Sequence, residues 1–185
     1  PCSIDAISTP LVLMIPGDTE APIRGVLRVI PYPIPDIEEV FYKRAQYDAG
    51  AVLPGAGRTS AEMKAHLASC MLPLDRSADG SYVLLSGGKL GRIAIDRQLR
   101  GTGLGRKLVL AAEDWIAAAA AEAPAAKGAK VIEAKVQLSA QVIAREFYER
   151  IGYQPVGEQY LEQGQPHVWY TKMKRVGGGK EPEAK

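Results

Sequence analysis

The chain has 185 residues, with 23 Lys and Arg against 21 Asp and Glu, for a net charge of +2. That length fits one domain of roughly 100–200 residues, large enough to bury a core without disulfide or metal staples. With 46% apolar and 24% charged residues it is not a disordered chain, and its near-neutral balance argues against a dedicated nucleic-acid binder.

The first predicted element is a β-hairpin over residues 8–35. Residues 11–15 are a short apolar run, 16–22 have turn chemistry, and 23–30 resume strand character. Pro31, Pro33 and Pro35 stop it, because proline cannot donate to a central ladder. Residues 36–48 read as a short helix with Asp36, Glu38 and Glu39 in a first turn favoured by the helix dipole, and 52–58 as a loop. Thr59 and Glu62 have the spacing of a capping box opening a helix through about residue 71. Residues 75–80 read as a turn, so 36–80 has the character of an insertion between strands.

The next stretch is more regular. A strand over 82–95 is interrupted by Ser86, Gly87 and Gly88, and a glycine-rich turn follows at 98–105. A helix comes next, with Leu104, Leu108, Ala111, Ala112, Trp115 and Ile116 on one side, ended by Pro124 and Gly128. A strand is expected over 130–138, then a helix over 139–150 with Ser139 as N-cap, Ile143 on its apolar side and Gly152 as C-cap glycine. Strands over 153–160 and 167–174 flank a turn at 162–165, and a disordered tail follows residue 175. This order of elements predicts an α/β or α+β sheet with helices covering its faces.

Residues 91–107 carry the chemistry. A buried strand runs into Gly101, Gly103 and Gly105, and that loop opens a helix. Such a junction points unpaired backbone N–H groups and the positive end of the helix dipole at one spot, which suits phosphate. Arg100, Arg106 and Lys107 add positive charge at the rim. Gly105 is followed by Arg106 and Lys107 rather than by Lys and then Ser or Thr, so this is not a P-loop. Counted from Gly101, the sixth place is Arg106, so the dinucleotide fingerprint fails as well.

Gln98-Leu99-Arg100-Gly101-Thr102-Gly103 resembles the Q/R-x-x-G-x-G/A signature of the GNAT acetyltransferase superfamily. Downstream, Phe147-Tyr148-Glu149-Arg150-Ile151-Gly152-Tyr153 resembles its second motif, a helix ending in F/L-Y-E-x-x-G-F/Y. Residues 152–168 and Gln141 are similar to the bacterial ElaA-type subgroup. The resemblance spans roughly residues 88–173. It implies the GNAT fold: a mixed, mostly antiparallel central sheet flanked by helices, with strands splayed at an acetyl-CoA cleft. Residues 1–175 would form one such domain, with 36–80 inserted and the family's opening strand and helices not read ahead of the hairpin. The chain starts at Pro1, as a fragment or a processed form would.

The same resemblance implies acetyl transfer from acetyl-CoA to a primary amine, small-molecule or peptide, by direct attack in a ternary complex. The donor would lie on Arg100, Gly101, Thr102, Gly103, Leu104, Gly105 and Arg106. Its amide arm would pair with the strand edge at Ile93, Ala94 and Ile95, and Gln141 would bond the arm. Tyr148 matches the general acid, with a core tyrosine as the alternative. His167 is a candidate base, since imidazole titrates near neutrality; Glu133, Glu158 and an ordered water stay open. A CoA-binding or partner-binding module without turnover is the alternative function, and a homodimer through the last strands is left open. Trp115 and Trp169 read as packing residues. Cys2 and Cys70 have no pairing or metal-ligand spacing, and no apolar run reaches the roughly 18–20 residues of a membrane span. With no signal peptide read at the start, the expectation is a cytoplasmic protein with no metal site and no membrane or nucleic-acid partner.

Overall fold

The computed structural model describes residues 8–14, 23–34 and 59–177. The expected turn at 16–22, the helix at 36–48, the loop at 52–58 and the tail beyond 177 lie outside them. The hairpin strands are β1 (Thr9–Leu13) and β2 (Gly25–Pro31), antiparallel from Thr9↔Val29 to Leu13↔Gly25. In β2, Leu27 and Val29 turn inward and are almost fully buried, as strand periodicity requires.

Helix α1 (Ser60–Cys70) starts with the expected capping box. The Glu62 amide donates to the Thr59 hydroxyl at 3.2 Å, and the Thr59 amide donates to the Glu62 carboxylate at 2.7 Å. Next come β3 (Pro73–Arg76), β4 (Tyr82–Ile95), α2 (Leu104–Glu122), β5 (Val131–Gln141), α3 (Arg145–Arg150), β6 (Gln154–Glu162) and β7 (Gln165–Arg175). They form a seven-stranded sheet in the order β1-β2-β4-β5-β7-β6, with β3 beside the first half of β4. Only β4 and β5 run parallel, joined through α2; the other described pairs are antiparallel. A parallel pair needs such a crossover. The result is the mixed, mostly antiparallel sheet flanked by helices that was expected.

The core lies between α2 and the sheet. Val109, Ala112, Ile116, Ala119 and Ala120 of α2 pack with Leu85, Leu90, Val136 and Leu138 of the central strands, and Leu67, Ala68 and Met71 close one side. The buried stripe of α2 is centred on Val109, Ala112 and Ile116, so Ala111, expected on it, faces solvent. Each fully buried Leu or Val stabilises the fold by roughly 1.5–3 kcal/mol.

Three expectations change. Ser86, Gly87 and Gly88 do not break β4; Ser86 and Gly87 form a bulge opposite Lys135, and Gly88 pairs with Val136. Gly87 takes φ 59°, and a Cβ there would lie 2.4 Å from the Lys135 carbonyl oxygen. Ser139 does not cap a helix. The alternation that buries Ala134, Val136 and Leu138 continues through Ala140, so β5 extends to Gln141. A 3-10 turn (Val142–Ala144) leads into the short α3, and Ile143 is 90% exposed. Residues 73–76 form an edge strand rather than only a turn; all four are exposed, so no hydrophobic alternation announces it. The β6–β7 turn narrows to Gln163 and Gly164, both at positive φ, 52° and 75°, the geometry of a two-residue hairpin turn.

Candidate functional site

The sheet opens at one end of β4. Between the pairs Arg28↔Gly91 and Val26↔Ala94, Leu27 faces both Arg92 and Ile93. This bulge bends the strand and re-aims the residues beyond it. Arg92 holds it with φ 49°, a region disfavoured for residues with a Cβ. The last β4–β5 pair is Leu90↔Leu138. Beyond it Ile95 and Ala94 stay with β2 while Ser139 to Gln141 stay with β7. The strands part, and one edge of residues 91–95 has no strand partner among the described residues.

The chain then turns over this opening. Asp96 accepts from the Gln98 amide at 3.0 Å and from Arg24 Nη1 at 2.7 Å, winding the 3-10 turn Arg97–Leu99. Those bonds, the Gln98 amide foremost, hold the Asp96 carboxyl below its ordinary range. Thr102 donates its hydroxyl back to the Leu99 carbonyl at 2.7 Å. Arg100 Nε donates to the Ile95 carbonyl at 3.3 Å, and the Arg100 amide to Arg97 at 3.4 Å. Gly101 and Gly103 adopt φ 78° and 82°, which turns the chain into α2. The first helical bond runs from the Lys107 amide to the Gly103 carbonyl at 3.1 Å. From Gly101 to Arg106, no backbone amide donates to a described residue. A helix start with free N–H groups is an anion site in waiting.

Beneath the loop lies a cleft of about 650 Å³, within the range of small-molecule sites. Of the residues expected to hold a donor, Ile93, Ala94, Ile95, Arg100, Gly101, Gly103, Gly105 and Arg106 line it. Thr102, Leu104 and Gln141 are not among its lining residues. The opposite wall comes from Ala144, Phe147, Arg150 and Ile151, with Leu99 at the loop. These were not anticipated as contacts, although Phe147 and Arg150 flank Tyr148 within the second motif.

Tyr148 does not line the cleft either; it is buried, with 7% exposure. Its ring packs against Phe147, Tyr170 and Tyr153, with centroids 5.0, 5.6 and 6.0 Å away. Burial, then the neighbouring Tyr170, pushes its pKa up to about 12. The hydroxyl has no hydrogen-bond partner among the described residues, yet unlike that of Tyr170 it is not sealed from solvent. The helix bearing it is held from behind. Lys172 Nζ donates to the Ile151 carbonyl at 2.9 Å and pairs with the fully buried Glu113 of α2 at 3.0 Å. Desolvation raises the Glu113 pKa despite that pairing.

His167 lies at the start of β7, in register with Gln141 on one side and Tyr160 on the other. Its Nδ1 is 2.9 Å from the Gln165 carbonyl. This sheet face also holds groups not picked out beforehand. Ser139 and Tyr160 engage Glu162, and Lys89 lies over Trp169. Glu162 falls in the expected turn, where acidic residues are ordinary, so no pattern marked it out. Glu133 is bonded by the Tyr82 hydroxyl at 3.1 Å. No group of three or more possible metal ligands occurs among the described residues.

The family model for an acetyltransferase (GNAT) domain matches residues 61–174, a span running from α1 into β7. No curated protein matches the chain. Among solved structures, the chain is similar to Escherichia coli ElaA, at 16% identity and a TM-score of 0.45, covering 89% of this chain and 68% of that one. It is also similar to an acyl-CoA N-acyltransferase from Pseudomonas aeruginosa, at 19% identity and a TM-score of 0.44, with coverage of 89% and 68%. An aminoglycoside 6'-N-acetyltransferase complexed with coenzyme A matches at 12% identity and a TM-score of 0.44, with coverage of 90% and 72%.

Proposed function

Because the chain belongs to the GNAT acetyltransferase family, we propose that it moves an acetyl group from acetyl-CoA to a primary amine by direct attack in a ternary complex. The observation that carries this reading is the run of amides from Gly101 to Arg106 that donate to no described residue, at the mouth of a cleft whose floor is a strand edge unpartnered among the described strands. A diphosphate needs converging donors, and an arm built of amides needs a strand edge. Both stand here in the order that a CoA molecule presents them. Arg100, Arg106 and Arg150 are among the lining residues and add positive charge.

When bound, the thioester supplies an activated acetyl carbonyl. The chain's own groups do the rest. The backbone N–H of Ile95, on the open side of the strand, stabilises negative charge developing on the carbonyl oxygen. Tyr148, kept protonated by its burial, holds the proton that the departing sulfur needs. If Nδ1 of His167 donates to the Gln165 carbonyl, Nε2 is left with a lone pair to accept the amine proton. Gln141, at the end of β5, is the side chain assigned to hydrogen-bond the arm, from outside the cleft lining.

The test is thiol release from acetyl-CoA over a panel of amines, with calorimetry of CoA binding alongside. Tyr148→Phe should bind CoA as the unaltered chain does and release thiol at least about 100-fold more slowly, the usual scale of acid–base assistance. The position of Tyr148 behind Phe147 favours one second reading, a CoA-binding module without turnover. CoA binding with no thiol release from any amine would establish that reading and remove the first.

A further inference from the structure

The sheet face turned away from α2 carries a second set of groups, beside the point where β4 and β5 part. Ser139 is the first residue of β5 beyond the last pair, Leu90↔Leu138. Ser139 and Trp169 are register partners, as are Lys89 and Gln137, so these side chains share the face opposite Leu138 and Tyr170. The hydroxyls of Ser139 and Tyr160 both donate to Glu162, at 2.9 and 3.2 Å, and both to the same oxygen, Oε2. Each hydroxyl lies 2.5 Å from the other. The carboxylate is thereby fixed in one orientation. Oε1 has neither a hydrogen bond nor an ion pair among the described residues.

Fixed in this way, Glu162 suits a cation better than a proton. The Ser139 hydroxyl is the main cause holding its carboxyl below the usual range, so it is ionised at neutral pH and weakly basic. Beside it is an aromatic surface: Trp169 has its ring 5.7 Å from that of Tyr32, and Lys89 Nζ sits 4.3 Å over the Trp169 ring. Burial lowers the pKa of Lys89 there, so the Trp169 ring already carries one ammonium at a cost, and a second is left to Glu162. The two features are neighbours, since Tyr160 is the register partner of His167, two residues from Trp169 on the same face, and the Glu162 charge reaches Lys89. Lys89 nonetheless makes no ion pair with Glu162.

We infer that this surface anchors the acceptor, and that the acceptor is a diamine. Glu162 Oε1 holds one amino group as an ammonium, beside the Trp169 ring that Lys89 occupies, while the other, neutral, attacks the acetyl carbonyl. An N–C bond forms as the thioester C–S bond breaks; the attacking nitrogen gives up one proton and the leaving sulfur takes one. The inference rests on the acyl-transfer reading above and specifies its substrate class. Arg28, Lys89 and His167 are the basic groups nearby, and they disfavour any acceptor whose second charge does not reach Glu162.

The probes are 1,5-diaminopentane and pentylamine, which share a carbon chain and differ by one ammonium. Each is titrated calorimetrically into the full chain with CoA present, and each is assayed for thiol release from acetyl-CoA, with the unaltered chain and with Glu162→Gln. A charge-assisted hydrogen bond should favour the diamine by at least about tenfold in affinity and in kcat/KM. In Glu162→Gln that ratio should fall to near one, through KM rather than kcat. Equal handling of the two amines, no binding of either, or an unchanged ratio in Glu162→Gln overturns the inference. Selective, Glu162-dependent binding without thiol release upholds the anchor and removes the acyl-transfer reading. Thiol release with no preference does the reverse.

Discussion

At the scale of single residues, the site depends on backbone conformations that side chains resist. Gly87 is the sharpest case. Its left-handed φ alone disfavours any Cβ by about 1–2 kcal/mol, and the 2.4 Å approach to the Lys135 carbonyl adds a clash with backbone rather than with a movable side chain. Gly87→Ala should therefore destabilise the fold by at least ~2 kcal/mol, read as a lowered denaturant midpoint with an unchanged slope. Gly103 differs: its φ is 82°, but a Cβ there meets nothing within 4 Å. These two glycines look alike in sequence. Only the loop glycine stood out, because its neighbours Arg100, Gly101 and Gly105 spelled a phosphate turn, whereas Ser86-Gly87-Gly88 spelled only an interruption. A bulge between parallel strands depends on the partner strand, which no local pattern reveals.

At the scale of elements, what could be read in advance was whatever announces itself locally. The capping box of α1 and the turn between β6 and β7 are written in adjacent side chains. The end of β5 is not, because Ser139 suits a helix cap as well as a strand, and only the neighbouring β7 decides between them. The short link between β3 and β4 shows how local chemistry also sets stability. Asp79 accepts from the Ser77 hydroxyl at 2.6 Å, the Ser81 hydroxyl at 2.8 Å and the Ser81 amide at 3.0 Å. These bonds, Ser77 first, lower its pKa from 3.8 to about 2. The folded chain thus binds this proton less readily than the unfolded one. The contribution is full above about pH 4 and is lost as pH falls through about 2. In Asp79→Ala, stability measured against pH should fall less steeply across that window than in the unaltered chain.

At the scale of the molecule, α2, α3 and β7 meet at one buried ion pair. Glu113 comes from the helix that begins at the glycine loop, Lys172 from the last strand, and the Lys172 ammonium also bonds the carbonyl that ends the Tyr148 helix. Breaking one side leaves the other charge buried, at a cost of about 3–5 kcal/mol. Glu113→Leu and Lys172→Met should each lose roughly that much, while the double variant should recover most of it, a coupling that urea unfolding of all four chains would measure. The periodicity of α2 hid this pair, since a glutamate within an alanine-rich stripe reads as a surface residue. The unoccupied donors of the glycine loop have one more consequence. With no acceptor among the described residues, the N–H groups of residues 101–106 should trade hydrogen for deuterium with solvent quickly, against the slow background of the core strands. Their slowing on mixing with a candidate anion would give a built-in meter of occupancy, one that needs no catalysis to be read.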